Sequence, residues 1–436
     1  MLAEKLKECG VVGAGGAGFP TYVKAQARVE YMIGNGAECE PLIHKDVELM
    51  QAFPDEVISG LKLMAEAVGA RRLLLGLKQK NTRAVEAMRS RADAAGVELL
   101  LLGDFYPAGD EYELVYLATG RLIPAAGLPL QVGCVVNNVE TLYNVHRAAQ
   151  GEPVTEKFVC VNGAVRKPGS FWVPVGTSFG DLIKLAGGPA CESFGIFVSG
   201  IMMGRLSFDL DEVVTKTTAG LILLPREHHL IRRRSVSIEV QNRIGKSACD
   251  QCSYCTEFCP RYLLGYEVMP HKVMRSLGFS SSSARYWSWW GALCCACGLC
   301  TLYACPEELF PKEACDQAKL ALRQAGVRFE PSGEPRVHPM KEARRVPLSR
   351  LRQRLRIEEY EQDAPYKPLE WRPQRVRIML AQHAGRPAAP VVRVGQYVEK
   401  GTVVGRVAET ELGANVHASI AGTVTEITGT YIEIRT

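Results

Sequence analysis

Residues 11–21, VVGAGGAGFPT, set Gly13, Gly15 and Gly18 in the spacing G-x-G-x-x-G. In a dinucleotide-binding fold that spacing follows a strand and opens a full helix, so the flanking residues decide what it is. Upstream, MLAEKLKECG has Leu2, Leu6 and Cys9 at helical spacing, which predicts a helix where the first strand of the standard fold would lie. Downstream, Pro20 suits a first helical turn, and about ten residues separate it from the strand-like run VEYMIG. That is short for a crossover helix. The stretch reads as a glycine turn outside the standard fingerprint, with its role set by the rest of the chain.

The 436 residues suggest two to four domains, and 47% hydrophobic with 23% charged residues is an ordinary globular composition. A net charge of +5 is small for this length and argues neither for nucleic acid nor for an anionic membrane. Apolar runs such as GLILLP fall far short of the roughly 20 residues of a membrane span, and the charged, amphipathic start does not read as a signal peptide. The expectation is a cytoplasmic protein. Eight of the fifteen cysteines fall into two spaced quartets, which points to metal chemistry in a reducing compartment.

Along the chain, strand-like runs at Glu30–Gly34, Arg72–Gly76 and Glu98–Leu102 alternate with helical stretches at Pro54–Val68 and Asn81–Ala94. This pattern predicts a Rossmann-like α/β domain over residues 1–150 with a largely parallel sheet. Residues 151–235 read as a compact α+β module of two strands around a turn, a short helix and further strands. A cysteine-rich, helical, ferredoxin-like domain spans 236–330. A basic linker follows over 331–375, with Leu348, Leu351 and Leu355 near helical spacing and Ser349 as candidate cap. It reads as a helix with one docked face or as a patch for an acidic partner. Short strands and glycine turns over 376–436 predict a small β barrel or sandwich. It resembles the biotinyl carrier fold, a barrel-sandwich hybrid, but GANVHASIAG lacks the carrier lysine, so the reading is structural.

Cys249, Cys252, Cys255 and Cys259 follow C-x2-C-x2-C-x3-C-P, and Cys294, Cys297, Cys300 and Cys305 follow C-x2-C-x2-C-x4-C-P. In two-cluster ferredoxins the fourth cysteine of each run ligates the other cluster. That logic assigns Cys249, Cys252, Cys255 and Cys305 to one [4Fe–4S] cluster and Cys294, Cys297, Cys300 and Cys259 to the other. The extra residue before Cys305 leaves each fourth ligand open. Structural zinc favours pairs of C-x2-C over triplets. Cys295 and Cys315 are left over and read as buried small residues.

Four further motifs carry a resemblance: GAGGAGFPTYVK (13–24), NGAECEP (35–41), YPAGDE (106–111) and VVNNVETL (135–142). Together they look like the flavin and NADH site of the NADH-oxidising subunit of respiratory complex I and of Rnf-type C subunits. The resemblance implies FMN as cofactor and NADH as electron donor. Gly13, Gly15, Gly16 and Gly18 would let backbone N–H groups approach a phosphate, Lys24 would add a charge, and Phe19 would offer a stacking face. Asn35, Asn137 and Asn138 have the amides to fix a flavin. Glu38, Glu40 and Glu111 would line it or hold NADH hydroxyls, and Tyr106, Gly109, Asp110 and Thr141 complete the implied cofactor-binding set. Ala37 and Cys39 depart from the complex I form. A flavin converts hydride into single electrons, so no catalytic acid or base is expected.

Rnf-type C subunits carry the barrel-like domain first; here it is last. This order, with motifs reaching to LGANVHASIAGTV, is similar to the cobalamin reductase family of propanediol-utilising bacterial microcompartments. That resemblance implies electron delivery to cobalamin, a cobalamin adenosyltransferase as partner, and a cytoplasmic location within a microcompartment, with shell proteins as further partners. It also implies a soluble-ligand-binding β-grasp fold for the 151–235 module. The helix over residues 1 to 9 is a candidate encapsulation peptide. Two alternatives stay open: a soluble Rnf-C-like subunit that reduces a ferredoxin or another protein, and a non-catalytic scaffold component.

Overall fold

In the computed structural model, which describes residues 1–279 and 288–436, the alternating segments of the first unit build one parallel sheet. Its strands run in the order Val97–Leu102, Arg72–Lys78, Tyr31–Gly36, Cys134–Asn138, with Tyr31 opposite both Arg72 and Cys134. Both faces are buried: Met32, Leu75 and Val135 pack on one side, Ile33, Leu114 and Val136 on the other. That two-sided burial is why the strands read as continuous apolar runs. Pro54 opens the helix Pro54–Val68 where a missing N–H costs nothing, and Gly69 closes it at φ +68°. This helix approaches Val139–Ala149 so closely that a Cβ on Gly60 would lie 1.8 Å from the Leu142 carbonyl oxygen.

The expected N-terminal helix forms over Leu2–Glu8 and is docked. Leu6 is fully buried, and Lys5 and Lys7 donate to the carbonyls of Ala149 and Glu409. A helix tied down in this way is part of the packing of the first unit.

The second unit is a five-stranded sheet in the order Gly169–Pro174, Glu156–Gly163, Gly220–Pro225, Phe194–Val198, Arg205–Ser207. Gly220–Pro225 runs parallel to Glu156–Gly163 and the other pairs are antiparallel. The helix Phe179–Leu185 packs on it through Phe179, Leu182 and Ile183, capped by Ser178, whose Oγ accepts from the Asp181 N–H at 3.1 Å.

The cysteine-rich region is a set of short helices that includes Tyr254–Glu257, Pro260–Leu263 and Pro311–Gln324. The extra residue between Cys300 and Cys305 is taken up as a single π-turn, Cys300–Ala304. In the basic run, Leu348–Leu355 is helical and buries Leu348, Leu351 and Leu355; Pro347 is its cap, and Ser349 lies inside the first turn. The charges of this run are largely spent within the chain, on Lys341–Glu113 at 2.6 Å, Arg352–Glu361 at 2.6 Å and Arg344–Glu257.

Two small sheets close the chain. One contains Arg375–Met379, Tyr431–Arg435, Gly422–Ile427 and Tyr397–Val398, the other Ala389–Pro390, Val403–Arg406 and Val416–His417, around Val376, Val404, Val424 and Ile432. This sandwich packs on the first unit. The buried Lys216 donates to the carbonyls of Gly10 at 2.7 Å and Asn415 at 2.8 Å, and a Cβ on Gly18 would meet Thr217 and His383 at 3.0 and 3.1 Å.

Candidate functional site

The glycine turn is a closed loop. Val12 bridges to Pro20, the Gly13 N–H donates to the Phe19 carbonyl at 2.9 Å, and the Gly18 N–H donates to the Gly13 carbonyl at 3.2 Å. Thr141 fixes its base, the hydroxyl accepting from the Ala14 N–H at 2.9 Å. At the exposed tip, the N–H groups of Gly15, Gly16 and Ala17 make no backbone hydrogen bond among the described residues, and Gly16, at φ +121°, has open space where a Cβ would stand. Unpaired N–H groups on a glycine loop suit an anionic phosphate.

The turn borders a cleft of about 880 Å³ at the carboxyl ends of the strands Tyr31–Gly36 and Cys134–Asn138, the topological switch point of the sheet. Of the residues expected from sequence, Gly15, Gly16, Asn35, Glu38, Glu40, Tyr106, Gly109, Asp110, Glu111 and Asn138 line it. Asn35 is held by donating to the Gly109 carbonyl at 2.9 Å and accepting from the Ala37 N–H at 3.2 Å. A Cβ on Gly109 would lie 2.7 Å from the Ala37 carbonyl oxygen, so the two loops require glycine there. Asn138 caps the helix Val139–Ala149 through its Oδ1 and donates to Asp46 Oδ2 at 2.7 Å.

Behind Asn138 lies a buried ionic cluster. Glu140, fully buried, accepts from Lys45 at 2.8 Å and from Lys157, and Lys45 also pairs with Asp46 at 2.5 Å. Burial alone would lower Lys45, but Asp46, Glu140 and Glu38 outweigh it and raise it. Burial likewise opposes the charge of Glu140, yet Lys157 and Lys45 hold its carboxyl below the usual range. Two ammonium groups thus balance two carboxylates. Glu38, the third carboxylate, is pushed up to about 8 by burial and by Asp46. Glu40 crosses to the second unit, where its Oε1 accepts from the Met202 N–H at 2.5 Å, and burial pushes it up to about 7. Gly200, at φ +126°, makes room: a Cβ there would lie 2.3 Å from the Glu40 carboxyl carbon.

The cysteines gather as two sets. Cys249, Cys252, Cys255 and Cys305 line one small cavity, and Cys255 is pushed up to about 12 by burial and by Cys305, Cys249 and Cys252. Cys259, Cys294, Cys297 and Cys300 are all buried; Cys300 is raised by burial and by Cys294, Cys259 and Cys255. Sulfurs in both sets receive N–H donors, Gln251 Nε2 to Cys249 at 3.1 Å, Leu309 N–H to Cys305 at 3.3 Å and Ala296 N–H to Cys294 at 3.3 Å. Such donors are how proteins tune cluster thiolates. Among the described residues no three His, Cys, Asp or Glu side chains converge on a single ion. A mononuclear site needs ligands about 2.3 Å from one metal, whereas a cubane holds its thiolates further apart.

The second set reaches the cleft. Cys295 and Cys297 line it, and the buried Tyr106 hydroxyl donates to the Cys297 carbonyl at 2.7 Å. Arg261, two residues past Cys259, donates to Asp110 at 2.9 Å and stacks 3.6 Å from the Tyr112 ring.

Other expected residues stand behind the walls. Gly13 and Gly18 shape the turn, Phe19 closes it, and Lys24 donates to the Val136 carbonyl at 2.8 Å. Thr141 anchors the turn, and Asn137 is buried with its Nδ2 unpaired. Cys315 is buried as expected beside Cys294, whereas Cys295 is half-buried on the cleft wall. Sequence reasoning missed Lys45 and Asp46, although they lie four and five residues past the NGAECEP motif, and the Met203 and Thr215–Thr218 wall of the second unit.

Models of known families match in four places: the Nuo51 FMN-binding domain over residues 6–147, the SLBB domain over 158–192, a 4Fe-4S dicluster domain over 248–310 and the RnfC barrel sandwich hybrid domain over 357–435. The multidomain fold class expected from sequence is therefore present. A chain of an NAD+-reducing [NiFe]-hydrogenase in the H2-reduced state shares the fold at TM-score 0.50 and 23% identity, over 76% of this chain and 62% of that one. Cobalamin reductase PduS of Citrobacter freundii is 39% identical over 428 residues, 98% of this chain and 94% of that protein. The Salmonella typhimurium protein of the same name is 39% identical over 427 residues, with the same coverage. With these matches over nearly its whole length, the chain belongs to the cobalamin reductase family.

Proposed function

We propose that this chain is an NADH-dependent oxidoreductase that passes electrons through FMN and two [4Fe–4S] clusters to cobalamin. The observation that carries the reading is the shared cleft: the flavin-type motifs form one wall, and Cys297 of the second cysteine set, with its neighbour Cys295, forms another, tied by the Tyr106 to Cys297 bond of 2.7 Å. A bound flavin supplies the conversion of a two-electron hydride into single electrons. The chain's own residues provide the seat. The Gly15–Ala17 N–H groups would hold the phosphate, and Asn35, Asn138, Gly109 and Glu111 would orient the flavin and its donor. Cys249, Cys252, Cys255 and Cys305 would hold one cluster, and Cys259, Cys294, Cys297 and Cys300 the other. Six of these eight thiols are buried, Cys249 and Cys252 being the exceptions, and the irons of a cluster would supply the positive charge that stabilises thiolates in that setting.

The names of the 39%-identical relatives support cobalamin as acceptor. A cobalamin adenosyltransferase as partner and a microcompartment location, in contact with shell proteins, belong to the same proposal. Among the described residues no helix is long and apolar enough to cross a membrane. The test is anaerobic stopped-flow of the reconstituted protein with NADH, followed by cobalamin. Cobalt reduction after flavin bleaching is the expected result. Bleaching with reduction of a ferredoxin and no cobalt reduction would reassign the acceptor.

A further inference from the structure

Oxidation of NADH by one-electron carriers leaves a proton: NADH gives NAD+, H+ and two electrons, the electrons reduce two clusters by one each, and the proton must reach bulk water. The cleft is bounded on its inner side by the segment 38–43, and behind that segment lies a second cavity of about 580 Å³. Glu38, Glu40 and Ile43 line both spaces. Two carboxyl groups therefore form a thin partition with the redox site on one face and, on the other, a cavity lined by His44, Glu48, Glu361 and Asp363. We propose that Glu38 and Glu40 are the proton exit of this site, taking the proton from the cleft on a carboxylate oxygen and releasing it into the second cavity. This rests on the functional reading above.

The surroundings of both groups suit the task. Glu38 faces Lys45 and Asp46 and accepts from the N–H groups of Asp46 and Val47 at 3.1 and 3.4 Å. The neighbouring cluster of two ammoniums and two carboxylates is already balanced, so a third negative charge there is unfavourable and Glu38 is pushed up to about 8. Glu40 faces Arg234 and the N–H groups of residues 201 to 203, with Tyr106 and Cys39 on its other sides, and lies at about 7. Groups that straddle neutrality both accept and release protons at working pH. Across the second cavity His44 Nε2 stands 3.6 Å from Glu361 Oε1, with Lys80, Arg83 and Arg352 also on its lining.

The experiment uses the reconstituted holoprotein, anaerobic, mixed with NADH in weak buffer containing a pH-indicator dye, while flavin, cluster and dye absorbance are followed together. In the parent protein, proton release should keep pace with cluster reduction. In E38Q/E40Q, proton release and cluster reduction should slow by about a hundredfold, a general acid–base contribution of ordinary size, and slow much more than flavin bleaching does. Imidazole or acetate should restore the rate in proportion to its concentration, which a purely structural defect would not allow. The cofactor-free protein gives a second readout: its infrared spectrum should show protonated-carboxyl absorption that titrates near neutrality and is lost in the double variant. Proton release at the parent rate in E38Q/E40Q, slowing without rescue, or no titrating carboxyl band overturns the exit. Failure of NADH to bleach the parent flavin overturns the functional reading as well, so the two failures are distinguishable.

Discussion

Glu140→Gln tests whether the buried ionic cluster holds the floor of the cleft. Glu140 is fully buried between Lys45, at 2.8 Å, and Lys157, and its other oxygen accepts from the Phe158 N–H at 3.2 Å. Without its charge, Lys45 keeps its pair with Asp46, while Lys157, which burial already lowers to about 8 with Glu140 in place, falls further and keeps the Ala14 carbonyl at 3.3 Å. Because Lys157 can release its proton, the cost is that of unsatisfied buried polar groups, about 1–3 kcal/mol, against a total stability of about 5–15 kcal/mol. Urea unfolding should show a loss of that size at pH 7, together with weaker flavin binding, because Lys45 and Asp46 position Asn138. The double variant E140Q/K157M should recover part of the loss by removing the orphaned amine. The pH dependence has a definite sign. Glu140 is lowered from 4.5 in the folded protein, so its contribution is full above the unfolded value and fades as acid reaches the folded one. The variant and the parent should therefore converge at low pH. A loss under about 1 kcal/mol at pH 7, or no recovery in the double variant, would refute the reasoning.

Further outcomes are expected elsewhere. Cys252→Ala and Cys305→Ala should each remove the same cluster, about four irons per chain, and Cys259→Ala the other, as read by iron content and electron paramagnetic resonance. Tyr106→Phe leaves the buried Cys297 carbonyl without its donor, so stability should fall by about 1–3 kcal/mol and electron arrival at the clusters should slow more than flavin bleaching. Gly200→Ala, at φ +126° and against the Glu40 carboxyl, should cost about 1–3 kcal/mol in denaturation. Glu38, raised from 4.5 to about 8, contributes stability that is full below the unfolded value and is lost as pH rises toward 8; Glu38→Gln should flatten that alkaline decline.

Much of the fold is visible in local patterns, because a parallel sheet buried on both faces writes itself as apolar runs and its helices carry proline starts and glycine stops. Pro54–Val68 falls on its expected residues, and the strand Tyr31–Gly36 is displaced by one or two. The cysteine spacing was equally informative, and the π-turn explains how the longer x4 gap still brings Cys305 to Cys249, Cys252 and Cys255. What escaped depends on contacts distant in sequence. Lys24 carries the charge a phosphate wants but bonds to the end of a neighbouring strand, and Gly18 opens toward Thr217 and His383. Nothing near Ser199–Thr218 announces that this segment faces the glycine turn, because that wall exists only once two units have docked. Ser349 was a reasonable cap by residue type, yet the docked leucines begin at Leu348 and draw the helix start to Pro347.

The seat of the C-terminal sandwich bears on gene architecture. Lys7 bonds to the Glu409 carbonyl and Lys216 joins Gly10 to Asn415, so the earliest and latest segments of the chain are neighbours in space. In the Rnf-type subunits that this chain resembles, the barrel-like domain comes first. A chain with the sandwich joined ahead of Leu2 would therefore keep these same neighbours around the glycine turn. The contacts that seat the sandwich are thus set by its place in space and not by its place in the chain.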